Sequence, residues 1–226
     1  MNKLVLFDID GTLIPSSKAE HKAYSEAFKI VYKIDTSVEV INPHGMTSQQ
    51  VIIEVLRKDG LNEQEIKSKI KECMKVMVDF FNEFIVDEKI VLLEGVQELL
   101  EVLNKNGVLI GLVTGNLEDI ARGRLRKAGI NQYFQVGGFG DDDIDRVNLV
   151  KLAIKRAKEN FVFKSNNNIF LIGDAPQDMK AGKEAEIKTI GVTTGIYSNE
   201  QLKDAGADFI VSNLKGKDEI LKIILS

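Results

Sequence analysis

Lys3-Leu4-Val5-Leu6-Phe7-Asp8-Ile9-Asp10-Gly11-Thr12 begins with an unbroken apolar run and ends in two acids and a glycine. Such a run leaves no side for solvent, so it predicts a strand covered on both faces, as in a parallel sheet. The same pattern recurs at 108–113, which stops at Thr114-Gly115-Asn116, and at 168–172, which stops at Gly173-Asp174. Each run is followed by a helical pattern. Shorter strands at 133–136, 188–192 and 208–211 alternate with helices at about 94–106, 118–129, 146–160, 176–185, 199–205 and 216–225. That alternation predicts βαβ units and therefore an α/β fold with a doubly wound, parallel-sheet, Rossmann-like core.

Residues 16–87 break the alternation and predict helices at 17–33, 47–59 and 62–87. Ile66, Ile70, Cys73, Met74, Met77, Val78, Phe81 and Phe84 recur at helical spacing, which reads as core rather than as a ligand box. Thr47 suits the N-cap of the second helix, and Gly60-Leu61-Asn62 supplies a stop followed by a cap. The predicted organisation is a core formed by 1–15 and 89–226, with a helical domain inserted at 16–88. Asn166-Asn167-Asn168 reads as a polar turn before the third long strand.

Hydrophobic residues make up 44% of the 226 and charged residues 28%, which predicts a packed core rather than disorder. The apolar runs are far too short to cross a bilayer. The chain enters its first strand within a few residues of Met1, so no leader is expected and the predicted compartment is the cytoplasm. Cys73 is the sole cysteine, which excludes an intrachain disulfide and a thiolate cluster and leaves a packing role. A net charge of −4 argues against nonspecific nucleic-acid binding, which needs clustered Lys and Arg. Oligomeric state is unread.

In an open parallel sheet, ligands bind beyond the carboxyl ends of the strands. Asp8 and Asp10, two apart in extended chain, share a face there, and Gly11 permits a tight turn. An Asp-x-Asp-Gly turn alone has an equally good structural reading, since both residue types favour turns. Asp174-Ala175-Pro176-Gln177-Asp178 brings two more acids as it opens a helix. N-capping and helix-dipole complementarity would account for either acid separately, but not for both following a buried strand. Four converging carboxylates need cations or protons to coexist, and an oxygen-only donor set favours Mg²⁺ over zinc.

The set Asp8-Ile9-Asp10-Gly11-Thr12, Thr114-Gly115-Asn116 and Gly173-Asp174-Ala175-Pro176-Gln177-Asp178 resembles, in order and spacing, the first, second and fourth motifs of the haloacid dehalogenase-like hydrolase superfamily. The insertion at 16–88 resembles the helical cap of its phosphoglycolate phosphatase and β-phosphoglucomutase relatives. The resemblance implies Asp8 as a nucleophile forming an aspartyl-phosphate, and Asp10 as acid to the leaving oxygen and then base to water. It also implies Mg²⁺ held by Asp8, Asp174 and the Asp10 carbonyl, with Asp178 steadying the surrounding shell. Thr114, with backbone N–H groups near Gly115 and Asn116, would bind the transferring phosphoryl oxygens. A helix-capping role for Thr114 stays open.

The superfamily's third motif, a Lys or Arg, lacks its familiar Lys-Pro setting here. Arg146, after the acidic stretch 141–145, is the candidate, and Lys151 the alternative; an ion pair between Arg146 and the adjacent acids is the structural reading. His44-Gly45-Met46-Thr47 resembles the loop that closes over the site and sets specificity in capped relatives. His21 reads as part of a solvated helix face. The implied activity is Mg²⁺-dependent hydrolysis of a small phosphorylated metabolite. Transfer to a sugar hydroxyl on the same machinery and noncatalytic metabolite or partner binding are the rivals.

Overall fold

The computed structural model describes residues 3–161 and 168–225. Within the Asn166-Asn167-Asn168 turn, Asn166 and Asn167 lie outside the described residues. Strands β1 (Leu4–Phe7), β2 (Leu109–Val113), β3 (Val136–Gly138), β4 (Ile169–Gly173), β5 (Lys188–Val192) and β6 (Phe209–Val211) form one parallel sheet, in the order β3-β2-β1-β4-β5-β6. Among the described residues the sheet is accompanied by helices α4 (Val96–Lys105), α5 (Glu118–Lys127), α6 (Arg146–Asn160), α7 (Pro176–Glu184), α8 (Asn199–Asp204) and α9 (Lys217–Leu225).

Alternation along β1 divides the sheet's two faces. Val5 and Phe7 point into a cluster with Leu99, Leu103, Leu125 and Ile220, from α4, α5 and α9. Leu4 and Leu6 point into a second cluster with Leu149, Val150, Ala153 and Ala181, from α6 and α7. Both faces are therefore covered, which is why every residue of β1, β2 and β4 is buried.

The chain runs outward from β1 through β2 to β3, then returns to the other side of β1 with β4, β5 and β6. That reversal beside β1 is where an open α/β sheet leaves a crevice. Register brings the three strand ends together: Phe7 pairs with Leu112 and with Ile172, so Asp8, Thr114 and Asp174 emerge nearly level on adjacent strands.

Between β1 and α4 lie α1 (Lys18–Ala27), α2 (Ser48–Lys58) and α3 (Glu63–Phe84). They pack on a third cluster, including Tyr24, Phe28, Ile52, Leu56, Cys73, Met77 and Phe81, which Leu117 and Ile120 at the start of α5 join. The helix predicted at 17–33 is α-helical only to Ala27. It continues as a π-helical stretch, Phe28–Tyr32, and stops at Lys33 in the left-handed region. Thr47 caps α2 with Gln50 completing a capping box, and Asn62 caps α3.

The third strand in sequence departs from its predicted place. Residues 131–133 form a 3₁₀ turn and β3 occupies Val136–Gly138 instead. Gly138, at the end of β3, makes room for a neighbour. A Cβ on Gly138 would lie 2.1 Å from the Leu149 carbonyl oxygen, so the bare backbone lets α6 lie directly on the sheet.

Candidate active site

Asp8 sits one residue beyond β1, its N–H still donating to the Ile172 carbonyl at 2.9 Å. Asp174 follows β4, and Asp178 lies in the first turn of α7, where it accepts a hydrogen bond from Ala175 N–H at 3.2 Å. These three buried acids each present an oxygen within 4.8 Å of the others. Gly11, at φ +72°, makes the convergence possible: a Cβ there would lie 2.4 Å from Asp174 Oδ2.

Arg146, at the start of α6, enters from the other side, bonded to Asp178 and with Nη1 3.4 Å from Asp8 Oδ1. Lys151, on the same helix, is exposed. Burial pushes the Asp8 carboxyl well above its usual range, with Arg146 opposing and the neighbouring acids adding to the rise. Burial, then the charge of Asp178, raises Asp174 to about 7. Burial raises Asp178 too, against Arg146. Three carboxylates face one guanidinium, so the pocket holds more negative charge than it can neutralise. Oxygen donors with that imbalance fit a hard divalent cation such as Mg²⁺.

Asp10 faces elsewhere. Its side chain lies outside the three-acid cluster, gripped by Arg124 and by Asn116 Nδ2 at 2.8 Å. Burial alone would raise this carboxyl, but the Arg124 charge, its hydrogen bonds and the Asn116 bond bring it below the ordinary value. Thr114 is buried beyond β2; its N–H donates to the Gly138 carbonyl at 3.1 Å and its Oγ1 accepts from Asn116 N–H at 3.2 Å. That N–H of Asn116, expected to face a phosphoryl group, is thus occupied within the loop.

The loop His44-Gly45-Met46-Thr47 docks on the strand ends. Ser48 N–H donates to the Gly115 carbonyl at 2.8 Å, Thr47 Oγ1 to the Ile144 carbonyl at 3.0 Å, and Gln177 Nε2 to the His44 carbonyl at 3.1 Å. A Cβ on Gly115 would lie 2.1 Å from the Met46 carbonyl oxygen, so this contact depends on a bare backbone. Together the loop and strand ends line a half-open cavity of about 340 Å³ that reaches Asp8, Asp10, Thr114 and Arg146. His21 lines it as well, its Nδ1 3.3 Å from Glu39 Oε1, rather than standing only on a solvated face.

Residues 5–192 match the family model for haloacid dehalogenase-like hydrolases. The chain belongs to this family. A pyrophosphatase PpaX of Listeria welshimeri is 26% identical over 211 residues, covering 93% of this chain and 92% of the relative. A phosphoglycolate phosphatase of Vibrio vulnificus is 24% identical over 224 residues, covering 99% and 96%. Among solved structures, a hydrolase from Pseudomonas syringae superposes with a TM-score of 0.73 at 23% identity, covering both chains completely. This haloacid dehalogenase-like hydrolase therefore has phosphatase relatives along almost its entire length. Among its described residues no helix is long and apolar enough to cross a membrane.

Two charged neighbours of the site escaped the sequence reading. Arg124 and Glu20 are buried polar groups that meet at the site, Nη1 to Oε2 at 3.1 Å. Helical spacing was the available signal: Arg124 lies three and four residues after the buried Ala121 and Ile120, and Glu20 three and four before the buried Ala23 and Tyr24. The sequence reading gave Arg124, set among Arg122, Arg126 and Lys127, no role.

Proposed function

We propose that this chain hydrolyses a small phosphate monoester through an aspartyl-phosphate on Asp8, with Mg²⁺ as cofactor. The observation that carries the reading is the meeting of Asp8, Asp174 and Asp178 with Arg146, of which Asp8 and Arg146 line a half-open cavity. Asp8, Asp174 and Asp178, with the Asp10 carbonyl, are the groups we assign to the cation. Mg²⁺ bound there would offset the repulsion between an anionic nucleophile and an anionic phosphate.

Asp8 attacks phosphorus as the ester P–O bond breaks, and the departing alkoxide takes a proton from Asp10. A water then gives its proton back to Asp10 as its oxygen displaces Asp8 from phosphorus, releasing inorganic phosphate. Arg146, Thr114 and the Gly115 backbone are the proposed grip on the phosphoryl oxygens, with Asn116 contributing through its hold on Asp10. Residues 16–88 act as the cap, and the loop 44–47 decides which leaving groups fit.

Hydrolysis is favoured over transfer to a second hydroxyl by the cavity's lining. Among the described residues that line it, Arg146 is the single Arg or Lys, leaving no fixed cation for a second phosphate. A cytoplasmic setting, with neither nucleic acid nor membrane as partner, accords with the net charge of −4 and the lone cysteine. The test is a panel of phosphorylated metabolites assayed with Mg²⁺ for wild-type protein and Asp8→Asn. Phosphate release by wild type and its loss in the variant are expected. Turnover retained by Asp8→Asn would remove the nucleophile assignment, and an inert wild type would leave a binding protein.

A further inference from the structure

Arg124 is the largest fully buried side chain among the described residues, and nothing in the proposed chemistry requires a guanidinium there. It reaches from α5 to the turn after β1 and spreads its fork over one carboxylate. Nη2 donates to Asp10 Oδ1 at 2.6 Å and to the Pro15 carbonyl at 2.8 Å; Nη1 donates to Asp10 Oδ2 at 3.1 Å and to Glu20 Oε2 at 3.1 Å. With Asn116 Nδ2 also on Oδ2, both oxygens of Asp10 are engaged by directional donors.

A buried ion pair is weak evidence for stability, since apolar side chains of like volume often replace one without loss. What a planar fork supplies that an apolar side chain cannot is orientation, through two parallel hydrogen bonds to one carboxylate. Glu20 belongs to α1, in the helical insertion, so the same guanidinium bridges insertion and core.

We propose that Arg124 is a positioning residue for Asp10, fixing the plane of its carboxylate, and that through Glu20 it ties this orientation to the seating of the helical insertion. The proposal rests on the reading of Asp10 as acid to the leaving group. A group that merely staples the insertion to the core would affect every substrate alike. A group that positions the acid matters most where the leaving oxygen needs a proton.

The experiment compares kcat/KM for p-nitrophenyl phosphate, whose phenolate leaves readily without protonation, with that for phenyl phosphate, whose phenolate is far more basic. kcat/KM is the right quantity because it reports steps through formation of the phosphoryl-enzyme. Arg124→Lys keeps the charge but loses the fork, and Arg124→Met keeps the volume without the charge. Thermal melts identify which variant is folded. In a folded variant, kcat/KM for phenyl phosphate should fall at least ~10-fold further than that for p-nitrophenyl phosphate, in the direction shown by Asp10→Asn. Equal proportional losses, or none, would overturn the proposal while Asp10→Asn still discriminates. If Asp10→Asn itself shows no leaving-group preference, the acid role of Asp10 falls first, and the proposal with it.

Discussion

A methyl group added to Gly11 meets two obstacles. The residue lies at φ +72°, where a side chain costs about 1–2 kcal/mol, and the new Cβ would press to 2.4 Å from Asp174 Oδ2. Gly11→Ala should therefore do more than destabilise: it should turn a proposed metal-binding carboxylate. Mg²⁺ affinity, followed by titration calorimetry, is expected to weaken by about 10–100-fold, the usual effect of disturbing what orients a ligand. Affinity equal to wild type would mean that Asp174 does not hold the ion. Cys73 calls for the opposite behaviour, inertness. Burial pushes its thiol up to about 12, so at neutral pH it is protonated as well as enclosed. A thiolate-directed disulfide reagent should label native protein only as fast as α3 opens, and in full once the chain is unfolded in urea. Rapid stoichiometric labelling of the native state would contradict the packing of that helix.

Thr47 serves two structures at once. Its Oγ1 caps α2, accepting from Gln50 N–H, and donates to the Ile144 carbonyl beside the strand ends. Thr47→Ala should cost about 1–2 kcal/mol from the lost cap and, by freeing the loop from Ile144, lower kcat/KM more than the fall in melting temperature would imply. A stability loss with unaltered kinetics would reduce the residue to a cap. These elements also show what could be read without coordinates. The strand ends at Asp8, Thr114 and Asp174 were legible because a two-sided apolar run followed by small and polar residues has few other meanings in a parallel sheet. The caps at Thr47 and Asn62 were legible because they act within one turn of chain. β3 was displaced because Gly138 makes room for Leu149 of α6, further along the chain, and propensity sees only neighbours. The Asp10–Arg124–Glu20 linkage was missed for the same reason: its partners come from three separate elements, and only the burial of Arg124 distinguishes it from the exposed basic residues of α5.

At the scale of the whole molecule, helices α1, α2 and α3 and the two faces of the sheet each border an apolar cluster, yet the strand ends bury charge instead. Asp8, Asp174 and Asp178 all have carboxyls raised by burial, so folding without a cation works against their ionisation. A cation that binds only the folded site should stabilise by mass action, contributing about 2.7 kcal/mol at 100 times its dissociation constant. For a chain of this size that corresponds to about 5–10 °C in Tm. Differential scanning calorimetry should thus show Tm rising with the logarithm of Mg²⁺ concentration in wild type and falling back after EDTA. Asp174→Asn separates the two contributions: losing a buried charge relieves repulsion and should leave its metal-free Tm at or above that of wild type, while its response to Mg²⁺ is largely abolished. A wild-type Tm indifferent to Mg²⁺, or a variant that responds just as strongly, would show that the three acids share the site with protons rather than with a metal ion.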